Sequence, residues 1–477
     1  MKFTSVLAIA ATHLSLVNAL QLHKRTDGVP HVVEFPIERS SVSDRFQIDR
    51  LRERATVQTS LSNQKTLYIA NASVGTPAQT VQLQIDTGSS DLWFNTPSSR
   101  ECRSRRNPCA VTGTYAANSS STYSYVASDF NITYADGTGA SGDYATDTFT
   151  VGGATLSSLQ FGIGYTSTIN QGILGIGYPL LEAQVSAGRG PYNNLPAQMV
   201  ADGLIQSNAY SLWLNDLDSS TGSILFGGVD TAKFEGELQS LPVQTVNGLF
   251  QALEITLTGL NFGNQIIATN QTVPALLDSG SSLTLLPDSM TEAIYEAVDA
   301  QFDSNQGTAF VDCNLAQNTT TIDFVFSGPT ISVAMSELLI PAGTSTGAQL
   351  RLPNGAPACL FGISPAGNLG SVLGDTFLRS AYVVYDLSNN EISIAQTIFN
   401  TTESNILEIG TGTDSVPQAT PVSNPVTAQG GGDSVGGFSG TVAVATATST
   451  GGATNTAAPM KFGAIAAVGA GMLYGAL

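Results

Sequence analysis

Two aspartates in matching motifs are the residues of this 477-residue chain best suited by type to acid–base chemistry. Asp86 lies in Leu-Gln-Ile-Asp-Thr-Gly-Ser-Ser, and Asp278 lies in Leu-Leu-Asp-Ser-Gly-Ser-Ser, 192 residues later. If the fold brings the two carboxyl groups within hydrogen-bonding distance, they cannot both ionise easily and they share one proton. One group can then act as a base toward a water molecule while the other acts as an acid, with no metal or organic cofactor.

The residues that follow each aspartate are those that a tight, rigid turn requires. Gly88 and Gly280 fit such a turn because glycine tolerates its backbone geometry. The hydroxyl groups of Ser89 and Ser281 can hold the carboxylates in place. Those of Thr87 and Ser279 can join the two turns by bonds to the backbone. One Asp-Thr-Gly alone is an ordinary turn sequence, but two in matching contexts indicate a paired site. The alternative for the pair is a relative that keeps the fold without catalysis.

Composition excludes the main competing chemistries. The three histidines, His13, His23 and His31, all lie in the first 31 residues, which we expect to be removed. Without histidine, Ser-His-Asp catalysis, Cys-His catalysis and zinc sites with histidine ligands are excluded. Residues 55–400 carry 9 basic and 27 acidic side chains, so nucleic acid is not an expected partner and activity in acid is favoured.

The elements that position the aspartates are predicted to be strands. Residues 66–400 consist of short apolar or alternating runs rich in Val, Ile, Thr and Tyr, separated by Gly, Asn, Asp and Ser. One helix is predicted over Ser289–Gln301, because Pro287 and Asp288 precede an apolar stripe of helical spacing. The region is therefore expected to be mainly β.

An internal repeat organises this region. Ile173-Leu-Gly175 follows the first motif, and Val372-Leu-Gly374 follows the second at a similar distance. The repeat predicts two similar β-rich lobes, each of which contributes one aspartate.

Further motifs complete a resemblance to the pepsin-like aspartic proteases over residues 68–399. They are Gly75-Thr-Pro77, Asp91-Leu-Trp93, Ile132-Thr-Tyr-Ala-Asp-Gly-Thr138, Gly374-Asp-Thr-Phe-Leu-Arg379 and Tyr385-Asp386. The resemblance implies a bilobal pepsin-like fold with the active-site cleft between the lobes. It also implies an aspartic endopeptidase that hydrolyses polypeptide substrates at acidic pH through Asp86 and Asp278, and we expect it to be a monomer without a cofactor.

By the same resemblance, Tyr134 is the aromatic residue of a β-hairpin flap that closes over substrate, and Trp93 supports it from below. The other implied substrate contacts come from the flap and the two turns: Asp136, Gly137, Thr138, Gly88, Gly280 and Ser281. An ordinary core tyrosine is the alternative for Tyr134. The chain departs from the family at Ala135, where glycine is frequent, and at Ser279-Gly-Ser281, where the family has threonine at one position.

Four cysteines in a secreted chain allow three pairings. Short loop closure favours Cys102 with Cys109 and Cys313 with Cys359, and the resemblance implies the same pairs. Free buried thiols are the alternative. The first loop carries Arg103, Arg105 and Arg106, either as a processing or contact site or simply as a solvated surface loop.

The ends of the chain predict a secreted and anchored protein. We expect a signal peptide at 1–19, a removable pro-segment at 20–54 that is not a core element, an N-terminal lobe at 55–240 and a C-terminal lobe at 241–400. A flexible stalk at 401–450 and a glycosylphosphatidylinositol (GPI) attachment signal at 451–477 follow, with attachment at a residue between Gly451 and Asn455. An exposed N-terminal helix is the alternative for 20–54, and a disordered apolar end on a freely secreted enzyme is the alternative for the tail.

Location and subfamily follow from these segments. Six sequons are compatible with a secretory route to the plasma membrane or cell wall, with partial release as an alternative: Asn71, Asn118, Asn131, Asn270, Asn318 and Asn400. The anchor is the expected membrane contact. Asn194-Leu-Pro and Ala209-Tyr-Ser-Leu-Trp-Leu-Asn resemble the fungal yapsin and candidapepsin branch. A non-catalytic binding protein on the same fold and a structural wall mannoprotein stay open as other functions, and the sequence does not predict the cleavage preference.

Overall fold

The computed structural model describes residues 31–40, 67–104, 107–219, 221–304, 307–343, 348–428 and 441–442. Strands dominate this part of the chain, which confirms the mainly β prediction. The largest sheet contains β1 (Val33–Ser40), β2 (Leu67–Val74), β3 (Gln79–Asp86), β4 (Leu92–Asn95), β5 (Ser124–Thr133), β6 (Gly139–Val151), β7 (Ala154–Ser167), β8 (Gly172–Gly175), β9 (Ala209–Trp213), β10 (Thr221–Phe226), β12 (Phe234–Pro242), β26 (Ala381–Asp386), β27 (Glu391–Thr397) and β29 (Ala419–Pro421).

Four smaller sheets complete the fold. One has β13 (Glu254–Leu257), β16 (Val273–Leu277), β17 (Thr284–Leu286), β24 (Ile363–Pro365) and β25 (Ser371–Leu373). A second has β14 (Gly259–Phe262), β15 (Gln265–Thr269), β20 (Thr321–Val325), β21 (Thr330–Ala334) and β30 (Thr441–Val442). The others are β18 (Gln301–Asp303), β19 (Thr308–Asp312), β22 (Leu339–Pro341) and β23 (Ala358–Phe361), and the pair β11 (Gly228–Asp230) and β28 (Ile406–Glu408).

Helices in the described residues are short. They are α1 (Cys109–Thr112), α2 (Ala183–Ser186), α3 (Leu195–Ala201), α4 (Asp288–Val298), α5 (Met335–Leu338) and α6 (Asp375–Leu378), with 3-10 turns at Ala117–Ser119, Pro179–Leu181 and Cys313–Gln317. The predicted helix Ser289–Gln301 corresponds to α4, which ends three residues earlier because Asp299 adopts a left-handed conformation with φ of 54°. Gln301 begins strand β18 instead.

The internal repeat has a structural cause. Strand β3 ends at Asp86 and lies parallel to β8, which contains the first of the two repeated Leu-Gly segments, ending at Gly175. In the second half, β16 ends just before Asp278 and lies parallel to β25, which ends just before Gly374. Each aspartate therefore lies at the C-terminal end of a strand that pairs in parallel with the repeated Leu-Gly segment of the same half. A cluster of buried aliphatic and aromatic side chains packs beneath both halves.

The N-terminal segment contributes a core strand, which the sequence interpretation of residues 20–54 did not expect. Strand β1 lies between β2 and β10, with Ile37 opposite Ala70 and Phe35 opposite Ile224. Phe35 and Ile37 are buried, whereas Glu34, Pro36 and Glu38 are exposed. The prediction that this segment is not a core element is therefore wrong for residues 33–39. The alternation of Val33, Phe35 and Ile37 is a strand pattern that the surrounding charges obscured.

Residues 401–428 also differ from the predicted flexible stalk. Strand β28 pairs with β11, and β29 lies parallel to β12. Lys233 donates hydrogen bonds from Nζ to the carbonyl oxygens of Thr401 and Glu403 at 3.0 and 2.9 Å. Ile409 and Val416 are buried against the body. This stretch is held by pairing with residues far away in sequence, which composition alone does not reveal.

No helix among the described residues is long and apolar enough to cross a membrane. The predicted signal peptide, Gly451, Asn455 and the apolar tail all lie outside the described residues.

Candidate active site

The two aspartates lie against each other's turns. A Cβ atom built on Gly88 would lie 2.6 Å from Oδ1 of Asp278, and one built on Gly280 would overlap Oδ1 of Asp86. Glycine is required at both positions for this reason, since any larger residue would displace the opposite carboxylate. The structure therefore brings Asp86 and Asp278 together, as the repeat predicted.

Each carboxylate is held by the same two hydrogen bonds within its own turn. For Asp86, the N–H of Gly88 donates to Oδ1 at 2.9 Å and the hydroxyl of Ser89 donates to Oδ2 at 2.5 Å. For Asp278, Gly280 and Ser281 donate in the same way, at 2.7 and 2.6 Å. These bonds fix the orientation of both carboxylates before any substrate binds.

The two turns are joined by reciprocal hydrogen bonds between Thr87 and Ser279. The Thr87 hydroxyl donates to the Leu277 carbonyl at 2.8 Å, and the Ser279 hydroxyl donates to the Ile85 carbonyl at 3.1 Å. Each hydroxyl also accepts a hydrogen bond from the other residue's backbone N–H. Both side chains are buried, so these bonds set the distance between the carboxylates without competition from water.

The electrostatics of the pair follow from its burial. Asp86 and Asp278 are 5% and 8% exposed. Burial first, and then the charge of Asp278, raise the pKa of Asp86 to about 8. The raised pKa of Asp86 therefore keeps one proton between the two nearly buried carboxyl groups through the acid range.

The predicted flap is a hairpin formed by β5 and β6. Its tip spans residues 134–138 and is closed by a bond from the Tyr134 N–H to the Thr138 carbonyl at 2.8 Å. The indole N–H of Trp93 donates to the Tyr134 hydroxyl at 2.8 Å, as expected for a supporting residue. Burial and the nearby charge of Asp86 raise the pKa of Tyr134 well above its usual value, so this hydroxyl keeps its proton.

Comparisons with known proteins agree with this geometry. The family model described as "Eukaryotic aspartyl protease" matches residues 67–397, which include both turns and the flap. The chain belongs to the eukaryotic aspartyl protease family. It is therefore an aspartic-type endopeptidase.

Individual relatives of this aspartyl protease are also similar over most of their length. A protein described as "Probable aspartic-type endopeptidase opsB" of Aspergillus oryzae is 52% identical over 95% of both chains. "Candidapepsin-3" of Candida albicans is 40% identical over 74% of this chain and 85% of its own. The crystal structure of an aspartic proteinase from Irpex lacteus covers 78% of this chain and all of that protein, with a TM-score of 0.59 and 22% identity, and supports the fold alone.

The polar residues of the flap tip bond with one another in this aspartyl protease. Oδ1 of Asp136 accepts hydrogen bonds from the N–H and the hydroxyl of Thr138, at 2.8 and 2.6 Å. Gly137 completes the turn with φ of 77°, a conformation that favours glycine. Asp136 and Thr138 therefore shape the turn, and their contacts with substrate stay a prediction.

A second group of buried acids lies beside the first turn, and sequence reasoning did not single it out. Asp91 accepts hydrogen bonds from the hydroxyls of Tyr144 and Tyr192, both at 3.0 Å, and from the N–H of Ala183 at 2.7 Å. Burial raises the pKa of Asp91. The sequence contained only part of the signal, because Asp91 belongs to the Asp-Leu-Trp motif but its partners lie 53 to 101 residues away.

Glu182 is the other acid of this group, and its side chain is fully buried. Its Oε2 accepts the N–H of Tyr192 at 2.7 Å, while its Oε1 has no hydrogen-bond partner among the described residues. Burial first, and then the charge of Asp91, raise the pKa of Glu182 to about 10. Glu182 is therefore protonated in acid and is destabilising when it ionises.

The remaining predicted sites are spread over the surface and the edges of the fold. Both disulfide predictions are confirmed, because Cys102 is bonded to Cys109 and Cys313 to Cys359. All six sequon asparagines are exposed, which leaves them accessible to glycosylation. No group of three or more His, Cys, Asp and Glu side chains in the described ranges is arranged to hold a metal ion.

Proposed function

We propose that the Asp86 and Asp278 carboxyl groups activate a water molecule for hydrolysis of peptide bonds at acidic pH. The observation that carries this proposal is the placement of each carboxylate against the glycine of the opposite turn, with matching hydrogen bonds on both. Such symmetry leaves a position between the carboxylates from which one water molecule can contact both. The chemistry needs both protonation states at once, and the raised pKa of Asp86 supplies them.

The catalytic cycle follows from one shared proton. The ionised carboxylate removes a proton from the water as its oxygen attacks the peptide carbonyl carbon. The protonated carboxyl gives its proton to the carbonyl oxygen, which becomes a hydroxyl group of the tetrahedral intermediate. The carboxyl that gained the water proton then gives it to the peptide nitrogen, and the C–N bond breaks so that the amine leaves. A hydroxyl group of the intermediate returns its proton to the other carboxylate as the new carboxylic acid forms, so the pair again holds one proton.

The flap is proposed to close over the bound peptide. Its support from Trp93 keeps the Tyr134 hydroxyl directed over the first turn, because the bond between them fixes the ring. Closure excludes water other than the attacking molecule and strengthens the electrostatic interactions of the pair. Gly88, Gly280 and Ser281 are proposed to contact the peptide from the opposite side.

Residues 20–54 are proposed to be a pro-segment that is removed by cleavage after Arg54, so that the enzyme is made as a zymogen. Arg39 attaches this segment to the body through hydrogen bonds to the carbonyl oxygens of Asp216 and Ser219. Removal of β1 would leave β2 and β10 without their shared neighbour, so we expect a structural rearrangement on activation. Sequencing the N-terminus of active enzyme tests the boundary, which should lie near Ala55 rather than at Leu20.

Secretion and attachment at the cell surface are proposed for the whole protein. Relatives described as "Secreted aspartic protease 3" of Candida albicans support secretion. Since residues 401–428 pack on the body, the proposed stalk begins after Ala428, and the GPI anchor would follow between Gly451 and Asn455. Cell-surface and extracellular proteins are then the proposed substrates.

Two experiments test these proposals separately. Purified enzyme should hydrolyse a denatured protein in acid, and a statine-type transition-state analogue should block the hydrolysis. Absence of acid proteolysis would refute the enzymatic proposal. A phosphatidylinositol-specific phospholipase, or truncation after Thr450, should release the enzyme from intact cells. Full-length enzyme already free in the medium with Leu477 attached would refute the anchor.

A further inference from the structure

Gln84 is a buried polar residue in the strand that leads to the first aspartate. It is 2% exposed and lies between Leu83 and Ile85, which are fully buried. Because side chains alternate along a strand, Gln84 lies on the same face of β3 as Asp86, two residues later. A buried amide is destabilising unless it forms hydrogen bonds, so its partner indicates its role.

The partner lies in the turn of the other aspartate. The side-chain amide of Gln84 donates from Nε2 to the carbonyl oxygen of Gly280 at 3.0 Å. That oxygen belongs to the peptide group that joins Gly280 to Ser281, and the N–H of the same group donates to the carbonyl of Asp278 at 3.3 Å. Gln84 therefore holds one end of a peptide group whose other end is held by Asp278.

This peptide group carries the residue that orients the second carboxylate. Ser281 donates its hydroxyl to Oδ2 of Asp278 at 2.6 Å. The space beside Gly280 is restricted further, because a Cβ atom built on this residue would meet the carboxylates of both Asp86 and Asp278. A rotation of the peptide group would displace the Ser281 hydroxyl and bring the Gly280 backbone into closer contact with the dyad.

The contact has no counterpart in the repeat. The position that matches Gln84 before Asp278 is Leu276, whose side chain cannot donate a hydrogen bond. The bonds of Thr87 and Ser279 and those within each turn occur twice, once for each aspartate. The hydrogen bond from Gln84 is thus an extra contact, without an equivalent in the other half, between the N-terminal half and the turn of Asp278.

We propose that Gln84 is a positioning residue for catalysis, which orients the peptide group between Gly280 and Ser281 and through it the carboxylate of Asp278. This proposal rests on the proposed function of the dyad. It extends the set of residues that act on the reaction to one that touches neither the water nor the peptide. The role depends on a donor at this position rather than on the volume of the side chain.

Two substitutions test whether Gln84 acts as a hydrogen-bond donor or only fills volume in the core. Gln84→Leu copies the residue of the other half and removes the donor, so we expect kcat about 10-fold lower with KM nearly unchanged. Gln84→Glu keeps the shape and can donate to the Gly280 carbonyl when the acid is protonated. We expect activity near that of the wild type at the acid end and a decline that begins at lower pH than in the wild type, because the carboxylate repels both the carbonyl and the dyad.

Gln82→Leu is the matched control, because Gln82 is two residues earlier on the same strand and bonds to the exposed Asn71. It should leave kcat and the pH profile unchanged. The proposal is overturned if Gln84→Leu matches the wild type, or if Gln84→Glu shows no earlier decline with pH. If Gln84→Leu does not fold, the pH profile of Gln84→Glu decides alone. Inactivity of the wild type itself would instead count against the proposed function.

Discussion

The turns that carry Asp86 and Asp278 have the same internal hydrogen bonds but different neighbouring residues. Within each turn a glycine N–H and a serine hydroxyl hold the carboxylate, and the threonine and serine between the turns bond reciprocally. Among the neighbouring residues, the turn of Asp86 lies beneath the flap tyrosine, Tyr134, and beside the buried acids Asp91 and Glu182. The turn of Asp278 is followed by Thr284, which bonds to Thr376 of α6. The internal hydrogen bonds of the two turns are therefore symmetric, whereas their surroundings differ between the two halves.

The largest expected effect tests the symmetric part of the comparison. Asp86→Asn and Asp278→Asn should each lower kcat by about 10⁴-fold, because half of the pair can supply only one proton-transfer role. Both variants should bind a statine-type analogue less tightly and should retain the far-ultraviolet circular dichroism of the wild type. Near-normal turnover of either variant would break the equivalence of the two aspartates.

The reciprocal bonds between the turns give the next effect. Thr87→Val and Ser279→Ala each remove two buried hydrogen bonds, and we expect each to lower the free energy of unfolding by about 2 kcal/mol. Urea unfolding at pH 4 measures this quantity. Losses of similar size support the symmetric description, whereas a loss confined to one variant would show that one half holds the pair by itself.

The asymmetric part is tested by the buried acid Glu182. Since its folded-state pKa is raised to about 10 from an ordinary value of 4.5, stability is fully present below pH 4.5 and is lost progressively as pH rises toward 10. Glu182→Gln removes this ionisation and should raise the free energy of unfolding by about 3 kcal/mol at pH 7.

The same variant should differ little from the wild type at pH 4, where Glu182 is protonated in both states. Thermal unfolding at the two pH values measures the difference directly. The titratable groups next to Glu182 are Asp91, Tyr144 and Tyr192. The charged guanidinium of Arg189 lies over the Tyr144 ring, with its Cζ 5.8 Å from the ring centroid. Equal stabilisation at both pH values would contradict an effect of ionisation.

The smallest expected effect concerns the flap. Tyr134→Phe removes the hydroxyl that accepts the Trp93 indole N–H but keeps the ring, so kcat/KM should fall by about tenfold with little change in stability. Trp93→Phe removes the donor of the same bond and serves as the partner variant. If the two single changes and the double change lower kcat/KM by independent factors, the bond does not act as one unit.

Sequence alone predicted the parts of the site that are local. The two aspartate motifs, their serines, the flap turn and the Cys102–Cys109 loop each occupy a short stretch with a readable pattern. The Cys313–Cys359 pair is 46 residues apart and was inferred from loop closure and the family resemblance. Bonds between distant segments were missed, such as that of Gln84 with Gly280, 196 residues away. The core position of β1 was also missed, because its apolar alternation lies inside a charged segment. The packing of residues 401–428 depends on Lys233 and on pairing with β12, which composition cannot show.

The pH dependence of kcat/KM tests the central claim that Asp86 and Asp278 act as one pair that shares a proton. With the pKa of Asp86 raised to about 8, the shared proton is present below that pH and leaves as pH rises through it, so no acid remains to protonate the substrate carbonyl. Measured from pH 2 to pH 10 on one peptide, kcat/KM should be maximal in the acid range, fall to about half of its maximum near pH 8 and be lost by about pH 10. A maximum above pH 8 would contradict a carboxyl pair.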